Sequence, residues 1–200
     1  WESEPVNQSD RFPLYREAFE QLRAAGHLYP CACSRKDIRE ATTAPHSEDG
    51  EPLYPGTCRK NPSTLNPQPP TQHNWRFRIP DDEAIEFVDG HFGPQKYVAG
   101  KDFGDFPVWQ KNDLPSYQLA VVVDDAAMGI TEVVRGADLM VSTARQLLLY
   151  HALNLSAPTF FHCELMCDEN GERLAKRHDA MSLRSLREQG KSPEDLRGDW

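Results

Sequence analysis

Hydrophobic side chains near the start of the chain recur every three or four residues, which predicts a helix with one buried face. The residues with this spacing are Tyr15, Ala18, Phe19, Leu22 and Ala25. Ser9 and Asp10 precede the run and are suitable N-cap residues, and Gly26 follows it as a terminator. We therefore expect a helix that begins near Ser9 and ends at Gly26.

Two segments in the middle of the chain show patterns typical of strands. Residues 75–79 alternate apolar and basic side chains, as a half-buried strand does, and residues 84–88 are a candidate for the neighbouring strand. We expect antiparallel β structure here.

The pattern changes again after residue 117. Residues 118–123 are a continuous apolar run before Asp124 and Asp125, which favours a strand buried on both faces of a parallel sheet. Residues 130–134 predict a second strand. A helix is predicted between residues 137 and 153, with Asp138 as its N-cap. The apolar positions that mark its buried face are Met140, Ala144, Leu147, Leu148 and His151. The order strand, strand, helix predicts an α/β layer.

Two regions lack such long patterns. Residues 31–74 are rich in proline, serine, threonine and asparagine, which predicts an irregular insertion with little apolar surface. After Gly171 the chain is rich in arginine, glutamate and serine, and Met181, Leu183 and Leu186 have helical spacing, which Leu196 extends. We expect a short helical C-terminal segment.

Composition narrows the class of protein. The formal net charge is −9, from 31 acidic and 22 basic side chains, so a general positive field for nucleic acid is excluded and any contact with RNA is local. No apolar run approaches the ~20 residues of a membrane span. Five cysteines at irregular spacing, with no secretion signal at the start, argue against a disulfide framework and favour a reducing cytoplasm.

Four residues in the irregular insertion have side chains that bind metals. Cys31 and Cys33 are followed by Tyr54 and Cys58, and thiolates favour zinc. A closed zinc site would supply folding free energy that this short insertion cannot obtain from a core. The alternative is that the cysteines are reduced and fill small gaps. Cys163 and Cys167 compete for the fourth ligand position, but they flank apolar residues, where a packing role is favoured.

Several cations and a tyrosine are candidates for substrate binding. Arg135 stands at the end of a predicted strand, where its guanidinium could bind a carboxylate through two parallel hydrogen bonds. The alternative is a surface ion pair with Glu132 or Asp138. Lys176 and Arg177 follow Gly171 in a basic loop suited to a nucleotide triphosphate, although such runs on solvated loops commonly bind nothing.

Residues 114–125, 130–139, 142–147 and 171–180 together resemble the second half of the catalytic domain of class I glutamyl-tRNA synthetases. Within that family, the chain is most similar to the shortened branch, the glutamyl-queuosine tRNA(Asp) synthetases. The resemblance implies an α/β fold: the later half of a class I synthetase Rossmann-type catalytic domain with a zinc-stapled α+β insertion and a short helical C-terminal segment. The implied divisions are residues 1–30, the end of the first nucleotide-fold half; 31–112, the acceptor-end insertion; 113–168, the second half of the catalytic domain; and 169–200, the ATP loop and C-terminal helices.

The resemblance also implies roles for particular residues. Arg135 and Tyr117 would bind the glutamate substrate, and Lys176 with Arg177 would bind ATP, with Lys176 neutralising the departing phosphates. Ala175 replaces the serine that is usual in this loop, which we interpret as a tolerated variation. The four ligands of the structural zinc ion would be Cys31, Cys33, Tyr54 and Cys58. Apart from the resemblance, a buried tyrosine that only packs its ring is the default for Tyr117.

The resemblance implies an ATP-dependent ligase that binds glutamate, ATP with Mg²⁺ and tRNA, and acts as a cytoplasmic monomer. The family's N-terminal ATP-binding turn has no counterpart in this sequence, so we expect the chain alone not to activate glutamate. The short segment after residue 186 leaves no room for an anticodon-binding domain of ~100 residues, which favours the shortened branch. Two alternatives stay open: a fragment of an ordinary glutamyl-tRNA synthetase, and a noncatalytic RNA-binding paralogue.

Overall fold

A computed structural model of the chain describes residues 4–34, 36–38, 53–60, 73–167 and 183–197. The chain divides into two compact units, Trp1–Cys163 and Glu164–Trp200. The helices whose bounds lie in the described part include α1 (Phe12–Ala24), α2 (Thr57–Lys60), α3 (Tyr117–Ala127), α4 (Met140–Ala152), α5 (Leu183–Glu188) and α6 (Pro193–Arg197). The strands there are β1 (Leu28–Cys31), β2 (Asn74–Phe77), β3 (Ala84–Asp89), β4 (Gly93–Val98), β5 (Phe106–Trp109), β6 (Glu132–Gly136) and β7 (Thr159–Cys163). No described helix is long and apolar enough to cross a membrane.

Helix α1 confirms the first predicted element. Its buried face consists of Tyr15, Ala18, Phe19 and Leu22, whereas Ala25 is exposed beyond its end. Gly26 adopts a φ of 79°, a conformation that glycine reaches without steric cost, and the chain turns there. Ser9 and Asp10 are not N-caps, because they lie within a 3₁₀-helix over Gln8–Arg11 that leads into α1.

The first sheet is antiparallel, with the strand order β1-β2-β5. Its aromatic side chains form a core with α1: the ring of Phe19 lies 5.4 Å from that of Trp75 and 5.1 Å from that of Trp109. Strand β2 confirms the strand predicted at residues 75–79. The prediction that residues 84–88 pair with it is wrong, since both edges of β2 are occupied by β1 and β5.

The second sheet is mixed, with the strand order β4-β3-β7-β6. Strands β3 and β4 form an antiparallel hairpin, and β7 pairs in parallel with both β3 and β6. The strand predicted at residues 130–134 is confirmed as β6. Because β7 lies between β3 and β6, Arg135 of β6 is opposite His162 of β7, and the Asp89 carboxylate at the end of β3 reaches the ring of His162 from the other side.

The predicted buried strand at residues 118–123 is wrong, because this segment lies within helix α3. Ser116 is the N-cap, and its hydroxyl accepts a hydrogen bond from the backbone N–H of Leu119. Gly129, with a φ of 66°, follows the end of the helix. A short apolar run has no period that distinguishes a strand from a buried helix, and here the cap and the packing against α1 and α4 determine the helix.

Helix α4 confirms the helix predicted between residues 137 and 153, after a 3₁₀ turn at Ala137–Leu139. Asp138 lies in that turn and is not the N-cap, since the N-cap position is Leu139 and makes no side-chain cap hydrogen bond. The predicted face is partly wrong: Leu149 and Tyr150 are buried, whereas His151 is exposed. Packing against both α3 and β3 buries a wider surface than one apolar stripe.

The second unit contains α5 and α6, in agreement with the predicted helical C-terminal segment. Gly190 follows α5 with a φ of 82°. Ser192 and Asp195 form a reciprocal cap at the start of α6: the Ser192 N–H donates to the Asp195 carboxylate, and the Asp195 N–H donates to the Ser192 hydroxyl. Lys176 and Arg177 lie outside the described residues.

Candidate functional site

Three cysteine sulfur atoms meet beside the end of β1 and the start of α2. The Sγ atoms of Cys31, Cys33 and Cys58 all lie within 4.8 Å of one another, and those of Cys33 and Cys58 are 3.5 Å apart. Cys31 is fully buried, and the other two are half-buried. The sequence prediction that these three residues come together is thus confirmed.

The phenolic oxygen of Tyr54 completes this group. It lies 3.4 Å from the Cys31 sulfur and 3.7 Å from the Cys33 sulfur, and it accepts a hydrogen bond of 2.8 Å from the backbone N–H of Cys58. The four predicted ligands therefore form one compact set of three sulfur atoms and one oxygen.

The geometry of this set fits a zinc ion. Tetrahedral zinc with bonds of about 2.3 Å to sulfur holds two thiolates roughly 3.8 Å apart. The observed separation of 3.5 Å between the sulfur atoms of Cys33 and Cys58 requires only a small adjustment. Soft thiolates are also the ligands that select zinc over magnesium or calcium. When bound, the ion would tie the end of β1 to α2, and Cys31, Cys33, Cys58 and Tyr54 would hold it.

Arg76 contacts the cysteine cluster directly, and Asp105 binds Arg76. The Nε of Arg76 donates to the Cys31 sulfur at 3.3 Å, and its guanidinium lies 4.0 Å from the centre of the Tyr54 ring. Its Nη1 donates to the backbone carbonyl of Asp105 at 2.7 Å. The Asp105 carboxylate accepts hydrogen bonds from the Tyr29 hydroxyl at 2.5 Å and from the Ile79 N–H at 2.9 Å. Neither residue was predicted from the sequence: a strand arginine in an alternating pattern is normally solvent-exposed, and no local pattern distinguishes Asp105 from a surface aspartate.

The ionisation of the cluster is uneven. Burial raises the pKa of Cys33 to about 12 and raises the pKa of Tyr54. Burial also opposes ionisation of Cys58, but hydrogen bonds from Tyr54, from the Ala32 backbone and from the other cysteines outweigh it and lower the pKa of Cys58. Cys58 therefore provides a thiolate more readily than Cys33.

A second group of polar side chains surrounds Arg135 in β6. Its Nη2 donates to the Thr143 hydroxyl at 2.6 Å and to the Leu139 carbonyl at 3.5 Å, and its Nε donates to Nε2 of His162 at 3.1 Å. These three partners are uncharged acceptors. The guanidinium also lies 5.1 Å from the centre of the Phe160 ring.

Tyr117, Asp125 and Tyr150 contribute to the electrostatics near Arg135. Burial lowers the pKa of Arg135, and Tyr117, Asp125 and Tyr150 oppose this effect. Burial raises the pKa of Asp125, whose carboxylate accepts a hydrogen bond of 3.4 Å from the Tyr150 hydroxyl. Tyr117 is 53% exposed, so the default of a buried packing tyrosine is wrong, and its ring is accessible beside Arg135.

Two further cysteines do not take part in the cluster. Cys163 and Cys167 are both exposed, so the packing role favoured for them is wrong. Cys163 ends β7, where its side chain lies on the opposite side of the strand from that of the buried His162.

The family model for the catalytic domain of class I tRNA synthetases (E and Q) matches residues 1–198. The chain belongs to this family. Among curated members, the glutamyl-Q tRNA(Asp) synthetase of Symbiobacterium thermophilum is 46% identical over 202 residues, which cover 97% of this chain and 61% of the relative. The one from Rhodopirellula baltica is 43% identical over 209 residues, which cover 98% and 63%. The chain thus spans about three fifths of the length of these class I synthetases.

Solved class I synthetase structures share the fold. The glutamate-tRNA synthetase from Elizabethkingia anophelis aligns with a TM-score of 0.69 at 23% identity, over 87% of this chain and 37% of that one. A glutamate tRNA ligase from Elizabethkingia meningosepticum, in complex with its amino acid, aligns with a TM-score of 0.70 at 21% identity, over 95% and 39%. The predicted class I synthetase fold with mixed α and β structure is confirmed.

Proposed function

We propose that this chain is part of an enzyme that activates glutamate with ATP and transfers the glutamyl group to queuosine in tRNA(Asp). Membership of the class I synthetase family supports the activation step, and the names of the relatives support the acceptor. The observation that carries the proposal is the state of Arg135: a half-buried cation whose hydrogen-bond acceptors His162, Thr143 and Leu139 are all neutral. Such a cation favours an anionic ligand.

The guanidinium geometry suits the side-chain carboxylate of glutamate. Nε and Nη2 lie on one edge of the guanidinium, and His162 and Thr143 accept from that edge. The second edge is formed by Nη1 and Nη2, and it can donate two parallel hydrogen bonds to a carboxylate once the long 3.5 Å contact of Nη2 with the Leu139 carbonyl gives way. In this proposal Arg135 selects glutamate, and the exposed Tyr117 contacts the bound amino acid.

Activation joins the α-carboxylate of glutamate to the α-phosphate of ATP, and pyrophosphate leaves with the electrons of the broken bond. This class of reaction needs cations at the departing phosphates and exact positioning of the nucleophile. We assign the cations to Lys176 and Arg177, with Mg²⁺ on the nucleotide. We place residues 169–200 in the ATP loop and C-terminal segment, and residues 113–168 in the second half of the catalytic domain.

We assign a structural role to zinc on Cys31, Cys33, Tyr54 and Cys58. These residues belong to the proposed insertion at 31–112, which would meet the RNA. The proposed enzyme is a cytoplasmic monomer, in the compartment that holds its tRNA substrate.

The acceptor is tested by transfer of labelled glutamate to purified tRNAs. The protein, at the full length that its gene encodes, is incubated with ATP and with tRNA(Asp) prepared with or without queuosine, and with tRNA(Glu). Labelling only of queuosine-containing tRNA(Asp) is expected. Labelling of tRNA(Glu) instead would show that the protein is an ordinary glutamyl-tRNA synthetase. Tight RNA binding without labelling of any tRNA would favour a noncatalytic paralogue.

A further inference from the structure

A buried chain of side chains connects β3 to Arg135 through β7. Asp89 ends β3 and is 2% exposed, and His162 in β7 is fully buried. Arg135 in β6 lies directly opposite His162 in the parallel register. The glutamate contacts proposed for Arg135 and Tyr117 do not explain why a buried carboxylate and a buried imidazole lie behind Arg135.

The hydrogen bonds of Asp89 fix the position of its carboxylate. Its Oδ1 accepts from the backbone N–H groups of His91 at 3.0 Å, Phe92 at 2.9 Å and His162 at 3.3 Å. Its Oδ2 lies 2.6 Å from Nδ1 of His162. Burial raises the pKa of Asp89, but these hydrogen bonds outweigh it and lower the pKa to about 2. Because an ionised carboxylate only accepts, Nδ1 of His162 must carry a proton.

The other ring nitrogen of His162 faces two groups. Nε2 lies 3.1 Å from Nε of Arg135 and 3.2 Å from the Thr143 hydroxyl. A guanidinium has no acceptor, so this short contact with Arg135 requires a lone pair on Nε2. The opposite tautomer would set two N–H groups against each other, and an imidazolium would add a second cation beside Arg135.

We propose that Asp89 and His162 are positioning residues for Arg135. Asp89 holds His162 in the tautomer with its proton on Nδ1, and Nε2 then accepts from Arg135 and keeps the second edge of its guanidinium directed to the glutamate carboxylate. The inference rests on the proposed function, because it gives the arginine a glutamate ligand. Neither residue touches the substrate in this scheme.

The substitution Asp89→Asn tests the scheme with almost no change of shape. Three backbone N–H groups converge on Oδ1, so the amide oxygen of the new side chain would take that position and its NH₂ group would face Nδ1 of His162. The amide then donates to Nδ1, the ring proton moves to Nε2, and Nε2 no longer accepts from Arg135. We expect the KM for glutamate to rise about 10- to 100-fold, the value of a hydrogen bond to a charged group, with the KM for ATP unchanged.

A second variant separates this effect from general destabilisation. In His162→Gln the amide oxygen can accept from Arg135 whatever occupies position 89. Asp89→Asn should therefore raise the KM for glutamate far less in the His162→Gln background than in the parent. Asp113→Asn, which removes a carboxylate from a surface ion pair with Arg16, is the matched control and should leave the KM for glutamate unchanged. Equal effects of Asp89→Asn in both backgrounds would overturn the proposal.

The tautomer is measured directly, without activity, by ¹⁵N NMR of the histidine rings in the full-length protein. A protonated Nδ1 and an unprotonated Nε2 at His162 are expected at neutral pH, with the reverse pattern in Asp89→Asn. A parent protein with the proton on Nε2, or with both nitrogens protonated, overturns the inference. If the parent shows the expected tautomer but no glutamate-dependent exchange of labelled pyrophosphate into ATP, the proposed function fails instead. If the parent is active and Asp89→Asn has the parent's KM for glutamate, only the inference fails.

Discussion

Arg76 donates a hydrogen bond from Nε to the sulfur of Cys31 across 3.3 Å, in the buried base of the cysteine cluster. Three thiolates and a phenolate carry more negative charge than one divalent zinc ion neutralises. A fixed cation at Cys31 offsets part of this excess and orients the sulfur, as outer-shell partners do at other metal sites.

We predict that Arg76→Met weakens zinc binding about tenfold or more, within the range typical of lost outer-shell contacts. Competition with a chromophoric chelator gives the affinity. The control is Arg78→Met, since the guanidinium of Arg78 lies over the Tyr29 ring, 5.1 Å from its centre, and not at the sulfur. Equal zinc affinities for Arg76→Met and Arg78→Met would contradict this role.

Tyr54→Phe removes the one oxygen of the proposed ligand set and little else. The hydroxyl contacts Cys31, Cys33 and the Cys58 backbone. We expect zinc to bind at least about tenfold more weakly, since loss of a ligand should cost no less than loss of an outer-shell partner. Chelator competition measures the change, and metal analysis gives the stoichiometry. Tyr29→Phe, which removes a buried hydroxyl bonded to Asp105, is the control for loss of a hydroxyl alone. Undiminished affinity in Tyr54→Phe would exclude the tyrosine as a ligand.

Removal of zinc should destabilise the insertion selectively. The core around the proposed metal ligands is small, with Tyr29, Cys31, Ile38 and Tyr54 as its buried residues, so it supplies little hydrophobic free energy. A chelator should lower the midpoint of thermal unfolding, and amide exchange should accelerate first in β1 and α2. An unchanged midpoint, with zinc shown to be absent, would mean that the fold does not depend on the metal.

Asp89 should make stability sensitive to acid. Its pKa falls from the ordinary value of 3.8 to about 2, because hydrogen bonds from Phe92, His162 and His91 outweigh the effect of burial. The carboxylate therefore stabilises the folded protein fully above pH 4, and this contribution is lost as the pH falls toward 2. Urea unfolding at several pH values should show the advantage of the parent over Asp89→Asn shrinking over this range. A difference that stays constant with pH would contradict the assignment.

Local sequence patterns correctly predicted elements that depend on residues close together in the chain. Helix α1 follows from the spacing of Tyr15 and Leu22, and the cluster of three cysteines with Tyr54 follows from residue type and spacing, helped by the resemblance. The strand prediction at residues 118–123 was wrong because a continuous apolar run suits a buried strand and a buried helix equally. Asp89 and His162 were missed for another reason: they are 73 residues apart and meet only because β3 and β7 are neighbours. No local pattern encodes that strand order.

We propose that Arg135 belongs to a site that activates glutamate. The most direct test is glutamate-dependent exchange of labelled pyrophosphate into ATP without tRNA, measured on this chain and on the full-length protein. We expect exchange with glutamate but not glutamine in the full-length protein, and a loss of kcat/KM of roughly 100-fold or more in Arg135→Gln, as for a charge-assisted pair. Arg23→Gln, at an exposed ion pair with Glu20, should behave as the parent. Absence of exchange in a folded, zinc-loaded full-length protein, or full activity in Arg135→Gln, would contradict the account.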